Sequence, residues 1–168
     1  MALPRKLKMM DVFNEGTSWL GLVSSVTLPK IAMKGEEWRG AGMLGEVTID
    51  MGLEKLELET TCGGPMRDAI LQLGTPGVAG TFRRFAGAYQ DDTTGEVFAV
   101  DVTMRGRPVE IDMGEAKVGE GGEFKDKWAL SYYRLEWDGR EMLEIDMLAG
   151  IYRVGGVDRY AQLRAAIQ

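Results

Sequence analysis

The stretch EFKDKWALSYYRLEWDGREMLEIDM, residues 123–147, decides the fold. It reads as a long strand, a two-residue turn at Asp138-Gly139 and a returning strand. A type I′ hairpin turn needs positive φ at both central residues, and Asp-Gly tolerates that best. So short a turn fixes the register. Trp137 is set opposite Arg140, Glu136 opposite Glu141, Leu135 opposite Met142, Arg134 opposite Leu143, Tyr133 opposite Glu144 and Tyr132 opposite Ile145. One face then carries Leu130, Tyr132, Arg134, Leu143, Ile145 and Met147 and is expected on a core. The other carries Ser131, Tyr133, Leu135, Met142, Glu144 and Asp146 and is only half polar. Such a face meets either a second sheet of the same chain or a neighbouring subunit.

Outward from this hairpin, alternation continues. Phe98, Val100, Val102 and Met104 point one way, and Asp101, Thr103 and Arg105 the other, up to a break expected at Gly106. Val109, Ile111 and Met113 resume it. Residues 81–89 read as a strand with a bulge at Gly87. Leu56 and Leu58 oppose Glu57 and Glu59 on a half-buried strand. Val12 and Phe13 open a strand that turns at residues 14–16, and residues 25–33 are extended, with Pro29 marking an edge or bend. Residues 1–10 read as an irregular basic arm carrying Arg5, Lys6 and Lys8, solvated or docked on an acidic neighbour. A helix is expected over 65–73, with Ala69, Ile70 and Leu73 on one face. After a short strand at 151–154, Asp158 is placed to cap a terminal helix whose Tyr160, Leu163 and Ile167 align.

Residues 35–53 differ. Five glycines punctuate them, and Trp38, Met43 and Met51 have little local core to enter. Long excursions of this kind are usually functional, and apolar anchors on them point to a partner surface.

The fold class expected is mainly β: an antiparallel β-sandwich or barrel in one domain, 1–168, with an internal helix and a short C-terminal helix. The formal net charge of −6 argues against general adhesion to nucleic acid, which needs a basic surface. With no His and only Cys62, neither a Cys/His zinc site nor a Ser-His or Cys-His pair can be built. Residues 1–10 lack the apolar run of a secretory signal, and no stretch approaches the roughly 18 apolar residues of a membrane span. A soluble product made in the cytoplasm, without membrane anchoring, is expected.

The segments LPRKL at 3–7, VFNEG at 12–16, SVTLPK at 25–30, WRGAGM at 38–43, DMGLE at 50–54, RFAGAYQ at 84–90, TGE at 94–96, MRGR at 104–107, EIDMGE at 110–115, YYRLEWDGRE at 132–141, EID at 144–146 and GGVDR at 155–159 run nearly end to end and in order. On them the chain resembles the major tail tube proteins of contractile-tailed bacteriophages and the tube subunits of R-type pyocins. The resemblance implies hexameric rings, joined sheet edge to sheet edge and stacked into a hollow tube inside a contractile sheath. It implies a hairpin or loop at about 35–60 reaching neighbouring subunits, with Trp38, Arg39, Gly40, Gly42, Met43, Met51, Gly52 and Leu53 as contacts, joined by Arg5, Lys6 and Lys8. Sheath, tape-measure, tube-initiating or baseplate, and terminator proteins are the implied partners. The implied location is a virion tail or pyocin particle, assembled in the bacterial cytoplasm.

No cofactor and no catalysis are implied. The bore would be lined by acids, with Glu57, Glu59, Asp101, Glu144 and Asp146 as candidates, so that DNA slides without adsorbing; in a pyocin, ions would pass instead. Three alternatives stand beside this: a tube protein of the type VI secretion kind, a monomeric β-sandwich binding module, and an enzyme using Glu144 with Asp146.

Overall fold

The computed structural model describes residues 1–168. Its frame is a ten-stranded antiparallel sheet that forks. The long members are β8, Val97–Asp112, and β9, Phe124–Trp137. On one flank of β8 lie β7, Thr81–Gln90, then β1, Lys6–Asn14, and β2, Thr17–Ser18. Beyond the second half of β9 lie β10, Arg140–Asp146, β11, Ile151–Val154, and β12, Val157–Asp158. The first half of β9 pairs instead with β6, Leu56–Cys62, and β6 with β3, Val23–Thr27. The remaining strands, β4, Met33–Trp38, and β5, Val47–Leu53, pair only with each other.

The fork is made by bulges. Arg105 pairs with Tyr132 and Gly106 with Leu130, leaving Ser131 as the extra residue on β9. Such a bulge bends a strand and lets it serve two sheets. Around Ser131 the core face of β9 changes parity, from Phe124, Asp126, Trp128 and Leu130 to Tyr133. Ile145 of β10 and Leu56 and Leu58 of β6 close over this core together with Val12, Phe85, Val102 and Met104.

The Asp138-Gly139 turn forms as its sequence predicts, with φ of 48° and 79°. Its register holds for two pairs and then slips, because Met142 is a second bulge: Leu135 pairs with Leu143, Arg134 with Glu144, Tyr133 with Ile145 and Tyr132 with Asp146. Tyr133 and Leu135 therefore face the core with Leu143 and Ile145, while Tyr132 and Arg134 join Glu144 on the other face.

Other expectations are corrected in the same way. The arm is irregular only to Arg5, because β1 starts at Lys6 and pairs with β7. Gly87 is in regular register; a Cβ there would lie 2.9 Å from the rings of Phe85 and Tyr89, so close packing of two aromatics accounts for it. Gly106 does not end the strand, which runs on to Asp112. The internal helix α1 is only Arg67–Leu71, burying Ala69 and leaving Ile70 and Leu73 exposed. The C-terminal helix α2 is Ala161–Ala165 with Tyr160 at its N-cap; Asp158 accepts from the Tyr160 amide and binds Arg164 at 2.7 Å.

One feature of the core has no sequence signature. The Arg83 guanidinium is fully buried between the rings of Trp19, 4.6 Å from its carbon, and Trp128, 4.1 Å. It donates to Asp126, Asn14 and Thr60. Burial pulls its pKa below the usual arginine value, and Asp126 opposes that shift. These contacts tie β7 to β1, β6 and β9 across the fork.

Candidate assembly interface

Three surfaces are left unsatisfied or unusually charged in the single chain. The first is the β4–β5 ribbon, which covers most of the Gly-rich excursion. It is narrower than residues 35–60, because residues from Leu56 onward are β6 of the body. Trp38 pairs with Val47 and Glu36 with Ile49, so Trp38, Val47, Ile49 and Met51 line one face. Glu37, Thr48 and Asp50 line the other, with the Thr48 hydroxyl donating to Glu37 at 2.8 Å. The apolar face touches no core of its own: Trp38 and Met51 are each 55% exposed, and Leu44 at the tip 99%.

Of the residues singled out from the sequence, Trp38 ends β4, and Arg39, Gly40, Gly42 and Met43 form the tip. There the Met43 amide donates to the Gly40 carbonyl at 3.2 Å. A Cβ on Gly40 would make van der Waals contact with the Trp38 indole nitrogen at 3.4 Å. Met51 and Gly52 are on β5, and Leu53 at its root packs against the core. Sequence reading missed Val47, Ile49 and Leu44. The alternation of Val47, Ile49 and Met51 was the available signal.

The second surface is the outer edge of β1. β2 covers it only at Phe13 and Asn14. Val12 turns its amide to the Asp11 carboxylate, 2.7 Å, and its carbonyl to the Trp19 amide, 2.8 Å, so these groups point away from β7. Of the basic residues here, the Arg5 guanidinium stacks over Phe98 at 4.2 Å and Lys8 binds Asp92 at 3.0 Å, while Lys6 is exposed.

The third surface is the face of the large sheet turned from the core. The candidate acids fall in two groups. Glu57 and Glu59 are on β6, beside Lys55 at 3.2 Å and Lys127 at 3.9 Å. Asp101, Glu144 and Asp146 are on the lobe formed by β7 to β11. There Arg84 holds Asp101 at 2.6 Å, Arg134 holds Glu136 at 2.7 Å, and Arg153 bridges Glu141 at 3.3 Å and Glu144 at 3.1 Å. The Glu141 and Glu144 carboxylates hold the Arg153 guanidinium above its ordinary pKa. Tyr132 donates its hydroxyl to Glu144 at 3.0 Å; burial first, and this bond second, raise the phenol's pKa. Asp146 accepts from the Leu148 and Ala149 amides, 3.0 Å each, closing a turn. Glu144 and Asp146 are thus committed separately and do not converge as an acid–base pair. The arginines were missed from the sequence; Arg134 joins Glu144 and Asp146 only because the Met142 bulge shifts those acids to its face.

Comparison with known proteins follows the same outline. A family model described as "Phage tail tube protein FII" matches residues 4–167. The chain is 49% identical to the tail tube protein of Escherichia phage P2 over 99% of both chains. It is 38% identical to the major tail tube protein of Serratia phage KSP20, over 95% of this chain and 93% of that one. Among solved structures it is similar to a PVC sheath/tube terminator from an extracellular contractile injection system in the extended state. That match has a TM-score of 0.58 and 10% identity, covering 80% of this chain and 97% of the other. It is also similar to the sheath-tube complex of the same kind of system, with a TM-score of 0.58 and 11% identity over 79% and 91%. At those identities the structural likeness speaks for the fold.

Proposed function

The chain belongs to the phage tail tube protein FII family, and from that premise we infer that it is a structural subunit of the inner tube of a contractile tail. Copies close into hexameric rings, and rings stack into a hollow tube held within a sheath. The tape-measure, baseplate and terminator proteins act on the tube's length and ends. The particle is a virion tail or a pyocin, assembled in the cytoplasm. The work is conduction of DNA or ions, without catalysis.

The observation that carries this reading is the ribbon. A two-stranded hairpin alone is marginal in water, yet this one holds Trp38, Val47, Ile49 and Met51 on a face with no partner in its own chain. A neighbouring copy supplies the missing surface, with Arg39, Gly40, Gly42, Met43, Gly52 and Leu53 at its tip and root and the Arg5–Lys8 arm nearby.

The large sheet, with its open β1 edge, forms the tube wall. We take its core side to face outward and its charged side to face the hole, with Asp101, Glu144 and Asp146 as the candidate bore acids of this sheet and Glu57 and Glu59 as those of the adjoining β6. Passage depends on charge pairing there. Phosphate adsorbs where free Lys or Arg can displace its counterions. On this face Arg84, Arg134 and Arg153 are already held by acids, and Arg105, which has no acid partner, lies 5.8 Å from the Phe82 ring. Size-exclusion chromatography with negative-stain electron microscopy at rising concentration tests the reading: rings and tubes are the expected products, and a strict monomer at high concentration overturns it.

A further inference from the structure

A cavity of about 640 Å³ opens on the charged face, where the β8–β9 pair passes between the loop at 74–80 and the turn at 146–149. Thr103 and Arg105 of β8, Tyr132 and Arg134 of β9, and Asp146 supply its polar lining, with Ser131 at the bulge. We propose that this cavity binds a small oxyanion of the phosphate class, gripped by Arg105 and Arg134. The site lies within one chain, so it stands whether or not copies form tubes.

Register brings the two cations together. Thr103 lies opposite Arg134 and Arg105 opposite Tyr132, which makes Arg105 and Arg134 diagonal neighbours on one face. Like charges so placed repel, and an anion between them removes the repulsion. Neither guanidinium is fully used by the chain. Arg105 is exposed and takes part in no intrachain ion pair. Arg134 reaches Glu136 through Nη2 at 2.7 Å, with Glu141 3.9 Å from its Nε, and its Nη1 is in no ion pair. The acid of the lining, Asp146, turns its Oδ1 to the Leu148 and Ala149 amides, and Tyr132 gives its hydroxyl to Glu144. The arginines are therefore the donors left to a ligand. One wall is held in place by the Ser131 hydroxyl, which donates to the Val78 carbonyl at 2.9 Å and ties the 74–80 loop to the bulge. A guanidinium fork matches the oxygens of a phosphate in pairs. The chain carries a formal net charge of −6, so general attraction of an anion is not expected and binding would report these residues. A seated oxyanion would give Arg105 the counter-charge that Arg84, Arg134 and Arg153 find in acids.

The test is calorimetric titration of the full-length subunit with inorganic phosphate near neutral pH, at constant ionic strength. A single saturable site is expected. Arg105→Gln should weaken it about tenfold or more, as loss of a charge-assisted hydrogen bond would. Arg105→Lys keeps the charge without the fork and should fall between; affinity equal to the wild type's in this variant overturns the proposal even if Arg105→Gln does not fold. Arg159→Gln, exposed and outside the cavity, should match the wild type. Absence of saturable binding in the wild type, or equal binding in folded Arg105→Gln, also overturns it. A thymidine oligonucleotide distinguishes the source of the phosphate. If the oligonucleotide binds through Arg105 while inorganic phosphate does not, the cavity belongs to a nucleic-acid backbone and the small-ion site falls.

Discussion

Arg83 and Asp126 form a buried ion pair at the fork of the sheet, with Nη1 2.8 Å from Oδ2 and 3.0 Å from Oδ1, and both side chains at most 1% exposed. Two charges without water are tolerated here because the neighbours complete their bonding. Asn14 and Thr60 take further guanidinium protons, the Trp128 indole donates to Asp126 at 3.2 Å, and two indole faces cover the cation. Removing one partner strands the other, at a cost of about 3–5 kcal/mol. Asp126→Ala and Arg83→Ala should each lose that much in urea unfolding of unassembled subunit. The double variant Arg83→Met with Asp126→Leu should lose less than either. Additive losses would show that the two residues act separately.

That pair also marks where the sequence stops being legible. Period-two alternation located β6 to β10 and the Asp138-Gly139 turn, because both are local properties, but not β4, β5 or most of β1. It carried no notice that Arg83 would point inward, since Arg83 and Arg84 are adjacent and only the pleat decides which is buried. Bulges were equally silent: Ser131 and Met142 each shift everything beyond them to the opposite face, and neither is a residue type that signals a bulge. The ribbon was located by its glycines and unplaced apolar residues. The alternation of Val47, Ile49 and Met51 was readable, but that Trp38 joins their face depends on a pairing that only the structure fixes.

Cys62 is buried beneath the same cluster, and burial first, with Asp126 second, pushes its thiol from 9.0 up to about 11, against a smaller opposing effect of Arg83. A folded pKa above the unfolded one means that the thiol's contribution is fully present below about pH 9. It is lost as pH rises toward 11, at roughly 3 kcal/mol across that interval. Urea midpoints should therefore fall between pH 9 and 11 in the wild type, and fall less in Cys62→Ser. At pH 8 a thiol reagent should label the unfolded chain far faster than the folded one, and equal labelling would contradict the burial.

Gly106 sits against the Ser131 bulge, where a Cβ would collide with the Ala129 carbonyl oxygen and crowd the Leu130 backbone. Backbone cannot step aside as a side chain can. Gly106→Ala should cost about 1–3 kcal/mol by overpacking, and more than Gly87→Ala, whose neighbours are aromatic rings able to turn. Thermal unfolding of the two variants reads the order directly, and the reverse order would place the rigid contact at Gly87.

Neutralising the acids of the charged face sets its arginines free. Asp101→Asn releases Arg84, and Glu144→Gln weakens the hold on Arg153. Both acids are partly exposed, so subunit folding should change little. Tubes of the double variant should retain duplex DNA at low salt and release it as salt rises, the signature of counterion displacement. Wild-type tubes should retain little at either. A filter-binding titration across salt distinguishes the two, and equal retention would remove the charged face from the bore.

Trp38 and Ile49 separate folding from assembly most cleanly. Their side chains are on the ribbon's apolar face, 55% and 42% exposed, away from the core cluster. Exposed positions of this kind change subunit stability by no more than about 0.5 kcal/mol when substituted, whereas a Trp central to an interface is often worth 2 kcal/mol or more. Trp38→Ser with Ile49→Thr should therefore leave the circular dichroism spectrum and the urea midpoint of the subunit in place while abolishing tubes under the electron microscope. The substitution removes an unpartnered surface from the free chain, so the variant should also be the more soluble one. Normal tubes from it would mean that the ribbon meets solvent in the assembly as it does in the single chain.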